Sequence, residues 1–248
     1  MTSRDRRLAE PSLGTTSVRA LLYALGAVAL ALVLVPTEAL AHGVTAGDKG
    51  YIQEISGVHL IPFIYLGAKH MVTGYDHLLF LLGVIFFLYR LRDLGIYVTL
   101  FAVGHSTTLL FGVLTGVKAS SFLIDAIIGL SVVYKAMENV GAFRRWFGAQ
   151  PNTKVATLIF GLFHGLGLAT KMLDFEVSPE GLVPNLLAFN VGVEVGQLLA
   201  LSAILIAMSY WRRTSSFARH AYATNVAVMS AGFVLMGYQL AGYFIVEL

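Results

Sequence analysis

The stretch His70-Met-Val-Thr-Gly74-Tyr-Asp76-His77-Leu-Leu-Phe-Leu-Leu-Gly-Val-Ile-Phe-Phe-Leu-Tyr89 sets two imidazoles and a carboxylate at the mouth of an unbroken apolar run. Residues 78–89 carry no charge and read as the start of a membrane-spanning helix. Ionisable groups at the middle of such a helix cost about 2.5–3.5 kcal/mol each unless they are paired, solvated or bound. Histidine and aspartate are also common N/O ligands for divalent metals. What the stretch means therefore depends on whether other segments bring it partners.

Composition supports the membrane reading. Of the 248 residues, 57% are hydrophobic and 12% charged, with a mean hydropathy of +0.75. A soluble domain carries about 25% charged residues. The net charge of +3 does not signal nucleic acid, because lysine and arginine sit in short loops between apolar runs rather than on one patch. There is no cysteine, which excludes disulfides, thiolate metal sites and a cysteine nucleophile. His, Asp, Glu, Asn and Gln remain as ligands.

Taken in order, the chain opens with Arg4, Arg6, Arg7 and Arg19, an apolar segment over 20–35, and Ala39-Leu-Ala41. That pattern predicts a signal peptide over 1–41, cleaved after Ala41. An extracytoplasmic lead-in over 42–57 and an integral membrane domain over 58–248 follow. Residues 58–72 are apolar but interrupted by His59, Pro62, Lys69 and His70, which predicts a short interfacial or re-entrant helix. Six spans are expected at 75–91, 94–115, 119–140, 154–173, 183–210 and 222–247, each near the ~20 residues that a bilayer core requires. The fold class is all-α, a polytopic transmembrane helix bundle whose short connections make sequential helices antiparallel neighbours. Arg90 and Arg92, then Arg144, Arg145 and Lys154, then Arg212, Arg213 and Arg219 mark alternate loops. The positive-inside rule puts those loops in the cytoplasm and both mature termini outside.

Polar residues inside the spans cluster by depth. Asp76 and His77 fall at the outer end of span one, His105 and His164 near the middles of spans two and four, and Asp125 about two turns into span three. Asn190, Glu194 and Gln197 stand at i, i+4 and i+7 on span five, one face of a helix. Each member has an ordinary reading by itself. His105 beside Ser106 suits an interhelical hydrogen bond, Asp125 can meet Lys171, and Lys135 with Glu138 makes a local i,i+3 pair. Together they describe one buried polar site. Gly161-x-x-x-Gly165 and Gly192-x-x-x-Gly196 are spacings that let helices approach closely enough to assemble it.

Four segments carry a family resemblance: His70-x5-Asp76-His77; Gly104-His105-Ser106; Phe163-His164-Gly165-Leu-Gly-Leu-Ala; and Phe189-Asn190-x-Gly192-Val-Glu194-x-Gly196-Gln197. Together they resemble HupE/UreJ-type membrane proteins, most closely the second subgroup, over about residues 58–245. The resemblance implies an inner-membrane protein of about six helices after removal of a signal peptide. It further implies a nickel or cobalt permease that supplies hydrogenase or urease maturation. His70, Asp76 and His77 would be its metal-recognition motif and His164 a second essential histidine. Better-known members follow Phe-His-Gly-x-Ala-x-Gly with Glu, whereas this chain has Gly167, Leu168 and Ala169 and no acid until Asp174. Glu194 offers a carboxylate instead.

The expected metal set is thus His70, Asp76, His77, His105, His164 and Glu194, supported by Ser106, Asp125, Asn190 and Gln197. Imidazoles with one or two carboxylates suit Ni²⁺ or Co²⁺ and equally Zn²⁺ or Cu²⁺, and affinity order does not choose among them. The leading expectation is a secondary permease. With no nucleotide-binding motif in the sequence, its driving force would be the membrane potential or protons. Its partners are the bilayer, the ion and a metalloenzyme maturation machinery. A zinc-type intramembrane hydrolase, with three imidazoles and an acidic base, uses the same residue types. A non-transporting structural or accessory subunit is the third alternative.

Overall fold

The computed structural model describes residues 55–173 and 179–247. The expected signal peptide and nearly all of the lead-in lie outside them. The described residues are all-α: α1 Leu60–Thr73, α2 Tyr75–Ile85, α3 Leu91–Thr115, α4 Ser121–Asn139, α5 Ala142–Phe147, α6 Thr153–Leu173, α7 Leu182–Arg212 and α8 Ser215–Gly242, with a π-helical end at Tyr243–Glu247. Ser120 caps α4, its side chain accepting from the Leu123 N–H. Gly116, at φ 70°, ends α3 in the left-handed conformation that suits glycine.

Among the described residues, four helices are long and apolar enough to cross a membrane: α3, α6, α7, and α8 with its π-helical end. Of the other two expected spans, α4 has the length but carries Asp125, Lys135 and Glu138. The span expected at 75–91 is the 11-residue helix α2, which stops at Ile85. There the Arg212 guanidinium donates to the Ile85 and Phe86 carbonyls, so the last turn is satisfied from α7 rather than by further helix.

The 14-residue α1 and the 11-residue α2 form one broken helix. Gly74 separates them by a single residue at φ −71°, ψ 106°. Its N–H donates to the His70 carbonyl, and its own carbonyl accepts from Leu78, so the two halves run head to tail. Their level is set by α7. His59 N–H meets Asn185 near one end of α7, and Ile85 meets Arg212 at the other. At 1.5 Å per residue the pair reaches about 39 Å, more than the ~30 Å of a hydrocarbon core. The interfacial helix and the first span expected separately are therefore two halves of one element.

Nor are sequential helices the closest neighbours. The principal pairings join α1 to α7, α3 to α6 and α4 to α8, and each is made by glycines whose missing Cβ lets backbones touch. A Cβ on Gly192 would stand 2.0 Å from the Ile64 carbonyl oxygen, and one on Gly67 would stand 2.0 Å from that of Phe189. A Cβ on Gly165 would stand 2.0 Å from the His105 carbonyl, and one on Gly129 would stand 2.7 Å from Met236 N. The α1–α7 and α3–α6 pairs run parallel, since Gly192 and Gly196 face Ile64 and Ala68 while Gly161 and Gly165 face Phe101 and His105. Short connections did not decide the packing, because glycine surfaces made closer contacts between helices remote in sequence.

The short helix α2 sits among these pairs and touches α1, α3, α4, α7 and α8. Asp76, His77, Phe80, Leu81, Gly83, Val84 and Ile85 on it are all buried. The basic turns gather at one end of the bundle. Phe86, Trp211 and Phe217 pack together there, Arg212 stacks on Tyr89 at 4.5 Å, and Glu138 accepts from Thr153.

Backbone contact at Gly192 leaves no side chain to yield, so Gly192→Ala is expected to destabilise the fold by about 1–3 kcal/mol. Gly95 has nothing within 4 Å of an added Cβ. Gly95→Ala should leave stability unchanged or raise it by up to about 1 kcal/mol. Thermal or denaturant unfolding of both variants in detergent measures the contrast.

Candidate metal site

The break at Gly74 brings His70 and His77 to the middle of the bundle. Met71, one residue after His70, lies against Gly196 near the centre of α7. The sequence placed Asp76 and His77 at the outer end of a span. They lie instead at mid-height, because α1 forms the first half of that span. Gly74 also makes room for them: a Cβ there would stand 2.4 Å from His77 Nδ1 and 3.1 Å from Asp76 Oδ1.

His70, His77 and His105 are buried and each offers a ring nitrogen to one cluster, the three atoms lying within 4.8 Å of one another. The His70 and His77 rings meet edge to face at 5.0 Å, and His164 lies 5.0 Å beyond His77. Donors around an ion held at about 2.1 Å can be no more than about 4.2 Å apart. Side-chain shifts on the order of half an ångström would therefore close the three imidazoles on one cation. Among the described residues neither ring nitrogen of His105 has a hydrogen bond of normal geometry, although the Asn190 side chain acts on the ring.

Neighbouring groups fix the orientation of the imidazoles. Asp76 Oδ1 accepts the His77 backbone N–H at 2.8 Å and lies 3.2 Å from His77 Nδ1. An acid in the first turn of α2 also complements the helix dipole. His164 Nδ1 is 2.7 Å from the Phe160 carbonyl, which puts the proton on Nδ1 and the lone pair on Nε2. Backbone and carboxylate partners of this kind typically set the tautomer of a metal-binding histidine. Phe101 packs at 4.8 Å from the His164 ring and Phe189 at 6.0 Å from His70, so the walls around the cluster are aromatic.

Asp125 is buried on α4, with Oδ2 accepting from Lys171 Nζ at 2.7 Å. Lys171 lies within electrostatic reach of His70, and Asp125 within reach of Asp76 and His77. The pair therefore borders the histidines on the side away from the basic turns. Gln197 and Asn190 lie on α7, Gln197 fully buried and Asn190 half-buried. Ser106 is half-buried on α3.

Glu194 is not brought to the cluster. It is exposed, while Val193, Gly196 and Gln197 around it are buried. At about 100° per residue, Glu194 lies roughly 60° from Gln197, and the packed face of α7 extends on the Gln197 side. Sharing a broad face at i and i+4 does not place two residues in the same interface. The sequence also left unmarked the aromatic walls. Phe101 lies four residues before His105, a spacing that signals a shared helix face.

A bundle of helices apolar enough to cross a bilayer, with imidazoles from α1, α2, α3 and α6 at its centre, defines a multi-pass membrane protein with a buried histidine site. The chain belongs to the HupE/UreJ family: the family model described as HupE / UreJ protein matches residues 46–247. No curated protein and no solved structure matches it.

The buried pair provides a test of this geometry that needs no metal. Lys171→Met or Asp125→Asn alone removes one partner and should cost about 3–5 kcal/mol. Combining Lys171→Met with Asp125→Asn leaves no charge in the pair and should recover most of that loss. A double-variant unfolding cycle in detergent reads the coupling.

Proposed function

We propose that the chain is a permease for a divalent transition metal, Ni²⁺ or Co²⁺, in a bacterial inner membrane, with its basic loops in the cytoplasm. The observation that carries this reading is the convergence of His70, His77 and His105 within 4.8 Å, buried at the middle of the bundle. Neutral imidazoles bind the later first-row ions well, and the aromatic walls keep competing water away. His164, with its lone pair on Nε2, and the Asp76 carboxylate adjoin the set and are its next ligands. Asp125 and Lys171, a neutral pair at 2.7 Å, border the set at the outer approach.

The broken helix suggests how such a site releases its substrate. His70 ends one half-helix and His77 begins the other, so a change of angle at Gly74 alters the distance between two ligands of the same ion. Discontinuous helices at mid-membrane serve transporters in this way, because irregular backbone is tolerated only where protein or a cavity encloses it. The ion delivered inward would feed metalloenzyme maturation, the role the family resemblance implies.

Metal analysis of purified protein tests the proposal directly. The parent should retain stoichiometric Ni²⁺ or Co²⁺ after dialysis and take it up in proteoliposomes. Losing a partner outside the coordination sphere typically costs 10–100-fold in affinity, so removing two direct ligands in His70→Ala/His77→Ala should cost more than about 100-fold. Equal metal retention and uptake by the two proteins would contradict the proposal.

A further inference from the structure

The helix α5, Ala142–Phe147, is six residues long and takes no part in the histidine site. A glycine in the left-handed conformation bounds it at each end, Gly141 at φ 72° and Gly148 at φ 71°. Gly141 turns the chain back where α4 stops, so that α5 lies beside the helix it leaves. Phe143 reaches Tyr134, more than a turn before the end of α4, at 4.9 Å, and Tyr134 meets Phe160 of α6 at 5.3 Å. Ala142 is buried. Five residues then lead to α6, which is long and apolar enough to cross a membrane. These contacts hold α5 at the level where α4 ends and α6 begins.

The six residues divide into two unlike faces. At about 100° per residue, Ala142, Phe143, Trp146 and Phe147 fall within about 140° of arc, and Arg144 and Arg145 fall on the remainder. Ala142 and Phe143 rest against the bundle. Trp146 and Phe147 carry the same face past the protein and are 64% and 69% exposed. Both arginines are exposed as well, and among the described residues no salt bridge engages either. Two neighbouring aromatic rings left in water are costly, whereas a bilayer interface takes the ring body and the indole N–H at one depth. Arginine, for its part, presents planar donors that match the oxygens of a phosphate.

We propose that α5 is an interfacial anchor for anionic phospholipid, with Trp146 and Phe147 entering the acyl boundary while Arg144 and Arg145 take the head-group phosphates. A helix with one apolar and one basic face lies in the plane of the interface, its apolar face about 5–10 Å into the head-group boundary. The occupant is lipid because α5 adjoins a membrane-crossing helix at its own level, and because its charge complements a leaflet of anionic head groups. The basic turns assign that leaflet to the cytoplasmic side. Through Tyr134 and Phe160 the anchor also fixes the depth at which α4 and α6 sit. None of this depends on the metal.

The chain has two tryptophans, so Trp211→Phe leaves Trp146 as the sole fluorophore in full-length protein. That protein is reconstituted in phosphatidylcholine vesicles containing either brominated phosphatidylglycerol or brominated phosphatidylcholine, and Trp146 quenching is read beside quenching by aqueous iodide. If Trp211→Phe fails to fold, the difference between the parent and its Trp146→Phe variant reads the same signal. Bromolipid is expected to quench Trp146, with the anionic lipid preferred by at least about fivefold. Arg144→Gln/Arg145→Gln should bring the preference to within about twofold of none while the ring stays quenched, and Arg144→Lys/Arg145→Lys should keep most of it. A ring reached by iodide and not by bromolipid overturns the anchor, since that face would then stand in water or serve another partner. Equal quenching by the two lipids in the parent, or an undiminished preference in the glutamine variant, also overturns it.

Discussion

A polypeptide inside hydrocarbon must satisfy its backbone polar groups from within the protein, and the break at Gly74 is where this chain meets that constraint. Interrupting a helix frees donors and acceptors that lipid cannot serve, so the break must lie inside the bundle. It does: α2, the shortest of the membrane-region helices, is the one enclosed by five others. Asp76 Oδ1 takes the His77 N–H at the start of the second half. At its far end, Arg212 takes the Ile85 and Phe86 carbonyls. The same enclosure that protects the broken backbone buries His70 and His77 where His105 and His164 can reach them.

The glycine pairings follow from this arrangement. A central half-helix needs walls that approach one another around it, and long side chains at those contacts would hold them apart. Gly67 and Gly192 close α1 on α7, Gly104 and Gly165 close α3 on α6, and Gly129 and Gly232 close α4 on α8. In a bilayer there is no hydrophobic force to bring helices together, so such close van der Waals contact carries much of the association. The α3–α6 contact also aligns His105 with Gly165, next to His164. Packing and site are therefore one feature: the glycines that join those helices lie beside the imidazoles they bring together.

Much of this was legible from residues alone. Apolar runs marked the long helices, and histidines at similar depths marked a common site. The Asp125–Lys171 and Lys135–Glu138 pairs were open to the sequence because spacing and charge limit the partners available. The broken helix was not legible, because His59, Pro62, Lys69 and His70 made the segment over 58–72 look too short and too polar to form part of a span. Burial of His70 against α7 and α2 removes that objection, and it depends on a contact remote in sequence. Glu194 misled for a different reason: a few tens of degrees around α7 separate a packed residue from an exposed one, and spacing alone does not locate the edge. The preference for non-sequential neighbours likewise lies in glycine surfaces, which no loop length reveals.

The central claim is that the break at Gly74 gathers imidazoles from several helices around one ion. Diffraction at the nickel absorption edge from crystals of the Ni²⁺-equilibrated protein tests it most directly. The account predicts one dominant anomalous peak at mid-bundle, about 2.0–2.2 Å from ring nitrogens of His70, His77 and His105. A map with no peak there, or with nickel only at an exposed histidine such as His220, would contradict it.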